Sequence, residues 1–348
     1  MRQAVMEATN GKTDYFLVNR NFPKLAAFAF EFPMHKNFGA MLGDDDKGYF
    51  DSGMLNYLES TFSIKDSPKY NASNLNYDNL FMEFVLEINL KMNKRYQYPI
   101  KNKVRFEKDK RKYYSNSGIL VCRGDTLAAT FKLLGGMYVA DSGHQHDDVG
   151  TYQIMKNKVI VTGDIGGPLY YEGDWIDRYY RSIFNSYSHP LPVVDGKLQV
   201  RNIIYYLNSN RPKVLHTRFS DRFDEIVFDL SAAYNCSTLL SLNRTNRFMR
   251  EVGKNRIRIE DTVKFSKPTK FEGAISTRGD IIFLSKKSFK KLRGQITYSN
   301  VILNFIIQSQ HEFDYFIRTE TQNGVKFKRL GIAIKNLKMN TNIVVVYW

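Results

Sequence analysis

From about residue 113 onward the chain is a series of short, β-prone runs cut by Gly, Asn and Asp, and this texture limits the fold more than any other feature. Residues 118–122, 127–133, 158–162, 213–219, 225–230, 301–307 and 341–348 each read as a strand. Many short strands with turn signals between them indicate an antiparallel β-sandwich. The sequence holds no fixed-period repeat and no low-complexity tract. Its 348 residues suggest about two domains, and 43% hydrophobic with 14% aromatic residues is enough for a sizeable core.

The first hundred or so residues have a different character. Residues 22–30 suggest a short helix, and 54–62 and 80–87 show near-helical apolar spacing. Residues 39–48 form a turn-rich acidic loop, and 91–112 a basic polar connector. The expected architecture is therefore mainly β: a short α-helical segment over 1–104, then an antiparallel β-sandwich over 105–348. Residues 1–10 lack the apolar core of a signal peptide, and no run approaches the roughly 18 apolar residues of a membrane span. The chain reads as soluble, with no export signal visible. Two cysteines, Cys122 and Cys236, do not make a disulfide scaffold and leave the redox compartment open.

The formal net charge of +16 favours acidic partners: nucleic acid, anionic lipid or an acidic polysaccharide. No zinc finger, helix-turn-helix or RNA-recognition signature accompanies it, so nucleic acid is not the expected partner.

The chemistry is concentrated in residues 143–153. Here His144-Gln145-His146-Asp147-Asp148 gathers two imidazoles and two carboxylates and runs into an alternating, strand-like pattern. Imidazoles one residue apart can point the same way on an extended or bent segment, which suits a metal ligand beside a proton-transfer group. Asp164, at the end of the 158–162 strand, and His189, just before 191–194, add a carboxylate and a third imidazole. A divalent metal such as zinc needs three or four such ligands from separated segments, and His146, Asp164 and His189 supply them. His144 is then the spare imidazole, free to act as base or acid. Asp147 and Asp148 read as support, orienting an imidazole or holding a turn. Tyr170, Tyr171, Trp175, Arg178, Tyr179, Tyr180 and Arg181 form an aromatic and basic cluster. In such a cluster rings stack on sugars, Arg pairs with carboxylates and a Tyr donates a proton.

Three ordered elements resemble the heparinase II/III-like polysaccharide lyases. They are His-x-His-x-Asp (His144, His146, Asp148), a strand-ending Asp-x-Gly (Asp164, Gly166), and the series Arg181, Ser182, His189, Val194, Gly196, Gln199. The acidic loop 43–48 looks like one late in that family's helical domain. The resemblance implies a helical (α/α) toroid followed by a β-sandwich, with the active cleft between them. It implies β-elimination on a uronate-containing polysaccharide such as a glycosaminoglycan, in the periplasm or outside the cell. His144 is the implied cleft histidine, Tyr171 an implied acid, and His146, Asp164 and His189 the implied ligands of a structural zinc. The toroid takes several hundred residues, so the chain is expected to carry its last helices and the whole β-domain. The alternative expectation is a non-catalytic carbohydrate-binding or structural module of surface-polysaccharide metabolism, holding the same metal.

Overall fold

The computed structural model describes residues 109–133, 146–167, 184–200, 211–251, 254–285, 288, 290–322, 324–336 and 338–348, with 8–9, 12, 28–34 and 58 nearer the N-terminus. The chain divides into two compact units. One is Met1–Ala40 with Tyr49–Lys110, the other Met41–Gly48 with Arg111–Trp348. In the first unit residues 28–31 make a helical turn, closed by the Phe32 N–H on the Phe28 carbonyl at 2.9 Å. The Phe28 and Phe32 rings stack over it at 4.9 Å. The helical spacing at 80–87 and the acidic loop lie outside the described residues, as does all of 54–62 except residue 58.

The second unit is β throughout its described length apart from a 3-10 turn at Ser231–Ala233. A first sheet runs in sequence order through β1 (Arg111–Tyr114), β2 (Ile119–Arg123), β3 (Leu127–Lys132), β4 (Tyr152–Lys156) and β5 (Val159–Gly163). The basic connector therefore ends inside β1. The short β6 (Val193–Val194) precedes β7 (Lys213–Phe219), β8 (Phe223–Asp229), β9 (Leu239–Met249) and β10 (Arg256–Thr269). Then come β11 (Phe271–Thr277), β12 (Asp280–Phe283), β13 (Lys291–Tyr298), β14 (Val301–Ser309), β15 (Phe313–Gln322), β16 (Val325–Ile334) and β17 (Lys338–Tyr347). Eight strands form a large sheet in the order β12-β13-β14-β17-β10-β9-β8-β7, and four form a third sheet, β15-β16-β11-β6. All pairings between these strands are antiparallel.

The burial follows from residue pattern. β9 and β10 alternate, with Leu242, Phe248, Ile257, Ile259, Val263 and Phe265 inward together with Arg244, Asn246 and Asp261, and mostly polar residues outward. β3 is buried along its whole length, so both its faces are covered. One continuous core joins the three sheets through Phe131, Ile154, Phe228, Phe305, Ile332 and Tyr347. Each such side chain contributes about 1.5–3 kcal/mol by leaving water. Side-chain hydrogen bonds stitch the layers. The Thr162 hydroxyl donates to the Ser276 carbonyl at 2.8 Å, and the Thr277 hydroxyl to the Val161 carbonyl at 2.6 Å. The Tyr152 and Tyr347 hydroxyls meet at 2.6 Å, and burial pushes the Tyr152 pKa up to about 12. Cys122 and Cys236 are separate buried thiols. Among the described residues no helix is long and apolar enough to cross a membrane.

Candidate metal centre

The strand β5 ends at Gly163, whose φ of +114° belongs to the region open to glycine. A Cβ there would sit 2.1 Å from the Tyr152 carbonyl oxygen, so no other residue fits without moving backbone. That close approach lets the Asp164 N–H donate to the same carbonyl at 2.7 Å. The Asp164 side chain then turns back, its Oδ1 accepting the Gly166 N–H at 2.9 Å. Asp164 is thereby fixed just past the sheet edge.

The segment beginning at His146 is held as firmly. The Asp147 N–H donates to the Phe184 carbonyl at 3.0 Å. The Gln199 amide pairs with the Val149 backbone twice, accepting at 2.9 Å and donating at 2.8 Å. Phe184 also sets its ring edge-on to His146, centroids 5.4 Å apart, and belongs to a small apolar cluster with Ile165, Val325 and Phe327.

Two buried arginines grip the loop that carries His189. Arg244 on β9 donates to the Gly150 carbonyl at 3.0 Å and the Pro190 carbonyl at 2.8 Å. Its other nitrogens form a bidentate pair with Asp261, directly opposite on β10, at 2.7 Å each. Arg329 on β16 donates to the carbonyls of Tyr187, His189 and Leu191 at 2.9, 3.1 and 3.1 Å, and to Glu272 at 3.0 Å. Burial works against both guanidinium charges. Asp261 outweighs it at Arg244, whose pKa is raised, whereas Glu272 does not at Arg329, whose pKa is lowered.

The result is a buried cluster of His146, Asp148, Asp164 and His189, whose ligand-type atoms all lie within 4.8 Å of one another. All four residues are 0–3% exposed. The His146 and His189 ring centroids are 5.3 Å apart. His189 Nδ1 lies 3.2 Å from Asp164 Oδ1, within ion-pair distance. Neither nitrogen of His189 nor Oδ2 of Asp164 has a hydrogen bond. Buried polar atoms in native folds are almost always satisfied, so these three call for a partner. Two imidazoles and a carboxylate form a donor set that suits a small divalent cation.

Lys132, at the end of β3, completes the cluster. Its ammonium donates to Asp148 Oδ2 and lies 3.8 Å from Asp164 Oδ2. Asp148 thus already has a cation, and Asp164 is the less committed carboxylate. For Asp164, burial alone would raise the pKa, but the charges of His189, Lys132 and His146 outweigh it and hold the carboxyl well below its usual range. For His189, burial would lower the pKa, but Asp164 and Asp148 outweigh it and raise the imidazole above its ordinary value.

Of the residues singled out from sequence, His146, Asp164 and His189 come together here. Asp148, read as support, stands within ligand distance as well as supporting Lys132. His144, Tyr170, Tyr171, Trp175 and the stretch through Ser182 lie outside the described residues. Lys132, Arg244 and Arg329 were not singled out. The available signal was phase: Arg244 shares the inward phase of β9 with Leu242 and Phe248, and Arg329 that of β16 with Val325 and Phe327.

No protein-family model matches this sequence, and no curated protein matches it. Solved structures do match its fold. Against the crystal structure of heparan sulfate lyase HepC from Pedobacter heparinus the TM-score is 0.60 at 15% identity, over 93% of this chain and 45% of that one. Against a crystal structure of heparinase III it is 0.60 at 14% identity, over 99% of this chain and 51% of that one. A further heparinase III gene product gives 0.59 at 13% identity, over 93% and 45%. The fold is heparinase-like, and the chain spans about half the length of the solved structures it matches.

Proposed function

We infer that this heparinase-like chain is the β-domain portion of a polysaccharide lyase that cleaves an acidic, uronate-containing polysaccharide by β-elimination. A zinc ion on His146, Asp164 and His189 braces it. The observation that carries the reading is the buried convergence of two imidazoles and a carboxylate, with buried polar atoms of Asp164 and His189 lacking hydrogen bonds, in a fold shared with heparan sulfate lyase structures. When bound, the cation crosslinks three chain segments and stabilises the fold. With its ligands 0–2% exposed, it acts as a brace and not as a contact to substrate.

The chemistry then belongs to side chains. A base takes the proton α to the uronate carboxylate, and the electron pair left behind forms a carbon–carbon double bond. The bond to the 4-linked sugar oxygen breaks, and an acid protonates that oxygen. His144 is assigned the proton transfer at the cleft, and Tyr171 the proton donation to the leaving oxygen. His144 stands two residues before His146 in the sequence. Lys132 neutralises Asp148, leaving Asp164 to the cation.

Elemental analysis of purified wild type beside His146→Ala is the first test. About one zinc per chain, lost in the variant, is expected. Zinc absent from wild type sinks the ligand assignment. The lyase reading is then tested by near-ultraviolet absorbance of an unsaturated product on heparan sulfate, hyaluronan and alginate, using the longest form of the gene product. Absence of product on all of them, with binding that survives His144→Ala, establishes instead the second reading: a non-catalytic carbohydrate-binding module. The burial of the cluster favours that reading equally, since a structural metal serves either role.

A further inference from the structure

The outer face of the eight-stranded sheet carries a feature that the metal cluster does not use. Strand register sets Arg218 opposite Glu225, Glu225 opposite Arg247, and Arg247 opposite Arg258. The same line continues through Val346 and Ile306 to Arg293. Residues opposed in an antiparallel ladder share a face. The flanking Ile257, Ile259 and Phe248 are buried, so this line lies on the opposite face; Arg218 and Arg293 at its ends are exposed, Arg247 and Arg258 half-buried, and Glu225 buried. Four arginines therefore lie on one line across seven strands, β7 to β13. Six steps of about 4.8 Å make it roughly 29 Å long.

One row along, at the end of β10, Arg256 lies beside Trp348, which is paired to Asn304 by two backbone hydrogen bonds of 3.1 Å. A groove of about 570 Å³ opens here, walled by Lys156, Lys254, Arg256, Ile306, Val346 and Trp348. Trp348 is 38% exposed. Some of the charge is answered. Arg247 pairs with Glu225, Arg258 with Glu260 at 2.9 Å, and Arg256 lies 3.7 Å from Glu251. Arg218 and Arg293 have no acidic partner among the described residues.

We propose that this face binds a linear polyanionic polysaccharide, with its carboxylate or sulfate groups on the arginine row and a sugar ring on Trp348. Guanidinium forks match planar or tetrahedral oxyanions bidentately, and a row of them across neighbouring strands can meet successive anionic groups of one extended chain. An indole face offers an apolar platform to a pyranose ring. Single-stranded nucleic acid would call for a series of free aromatic faces. Here Phe223 is already covered by Arg218 and Arg247, at 5.7 and 5.4 Å, leaving Trp348 as the free ring at the groove. The site holds the chain away from the metal cluster, and its function does not require β-elimination.

The test is calorimetric binding of a size-defined heparin decasaccharide to the full chain at two salt concentrations, with metal content and melting temperature checked in every variant. The combined Arg218→Gln, Arg258→Gln, Arg293→Gln variant is expected to bind about tenfold more weakly and with a shallower salt dependence. Trp348→Ala is expected to weaken binding while keeping the salt dependence. Arg318→Gln with Lys326→Gln, exposed on the four-stranded sheet, is the control and should bind as wild type does. The proposal is overturned if the triple variant binds like wild type or if the control loses as much. It is also overturned if single-stranded DNA of equal charge binds as tightly and suffers the same losses, which would make the face a nucleic-acid surface.

Discussion

Two groups of buried polar side chains sit within a few residues of each other and are completed to different degrees. The arginine clamps are closed: Arg244 and Arg329 each place all their nitrogens on backbone carbonyls or a carboxylate. The His146–Asp164–His189 cluster is open, with three polar atoms of Asp164 and His189 lacking hydrogen bonds at the same depth. The fold can satisfy buried charge here, since it does so next door. The open cluster differs from the clamps in this respect, and its donor set could hold a divalent cation.

The sharpest way to break this contrast is at the closed side. Arg244→Met leaves Asp261 buried without its guanidinium and strips donors from two carbonyls. A loss of about 3–5 kcal/mol in denaturant unfolding is expected, with or without metal. A loss under about 1 kcal/mol would show that the clamp holds nothing. Arg329→Met should cost less, about 2–3 kcal/mol. Its acid Glu272 keeps a 20% exposed side chain and can hydrate. Because Arg329 grips the carbonyls on either side of His189, metal affinity should fall along with stability.

Breaking the open side should look different. Asp164→Ala is expected to lose metal and to lower the melting temperature of the zinc-loaded protein, yet to change the chelated protein little. Equal destabilisation in both states would place Asp164 with the clamps.

The mildest probe is pH. Asp164 is held below its ordinary 3.8, so it contributes stability above that pH and loses it on acidification. His189 is raised above its ordinary 6.5, so it contributes below that pH and loses its contribution as pH rises through the folded value. In chelator, the pair should therefore stabilise most between about pH 4 and 6.5 and less in alkali. With zinc the trend above about pH 6.5 should reverse, because the metal takes the neutral imidazole. Melting curves across pH with and without chelator decide between the two.

Much of this was readable from residues alone, and the unreadable part has a physical cause. The runs at 118–122, 127–133 and 301–307 fall on β2, β3 and β14, whose apolar residues the sheets largely bury, while 213–219 falls on the edge strand β7, where Leu215 and Phe219 stay exposed. β9 and β10 were harder to read. Arg244 and Asp261 sit in the inward phase of these paired strands and interrupt the apolar alternation on both at once. The same pair holds the Gly150 and Pro190 carbonyls beside the cluster, so the signal was broken where the cluster's loops are held. His146, Asp164 and His189 were singled out because ligand chemistry restricts residue type, and the fold brings the three together. Lys132 was not, since a lysine at a strand end is usually a solvated charge.

The position of β17 governs how the molecule can be made. This strand lies between β14 and β10, pairing with both, inside the large sheet. A ribosome releases Lys338–Tyr347 after every other described strand of this chain. Until then the two halves of the sheet, β12-β13-β14 on one side and β10-β9-β8-β7 on the other, present unpaired edges to each other and to any neighbouring chain. Closure is thus a late, long-range event. Nascent or truncated forms lacking residues 338–347 should be the aggregation-prone species during expression, and the step most in need of a chaperone.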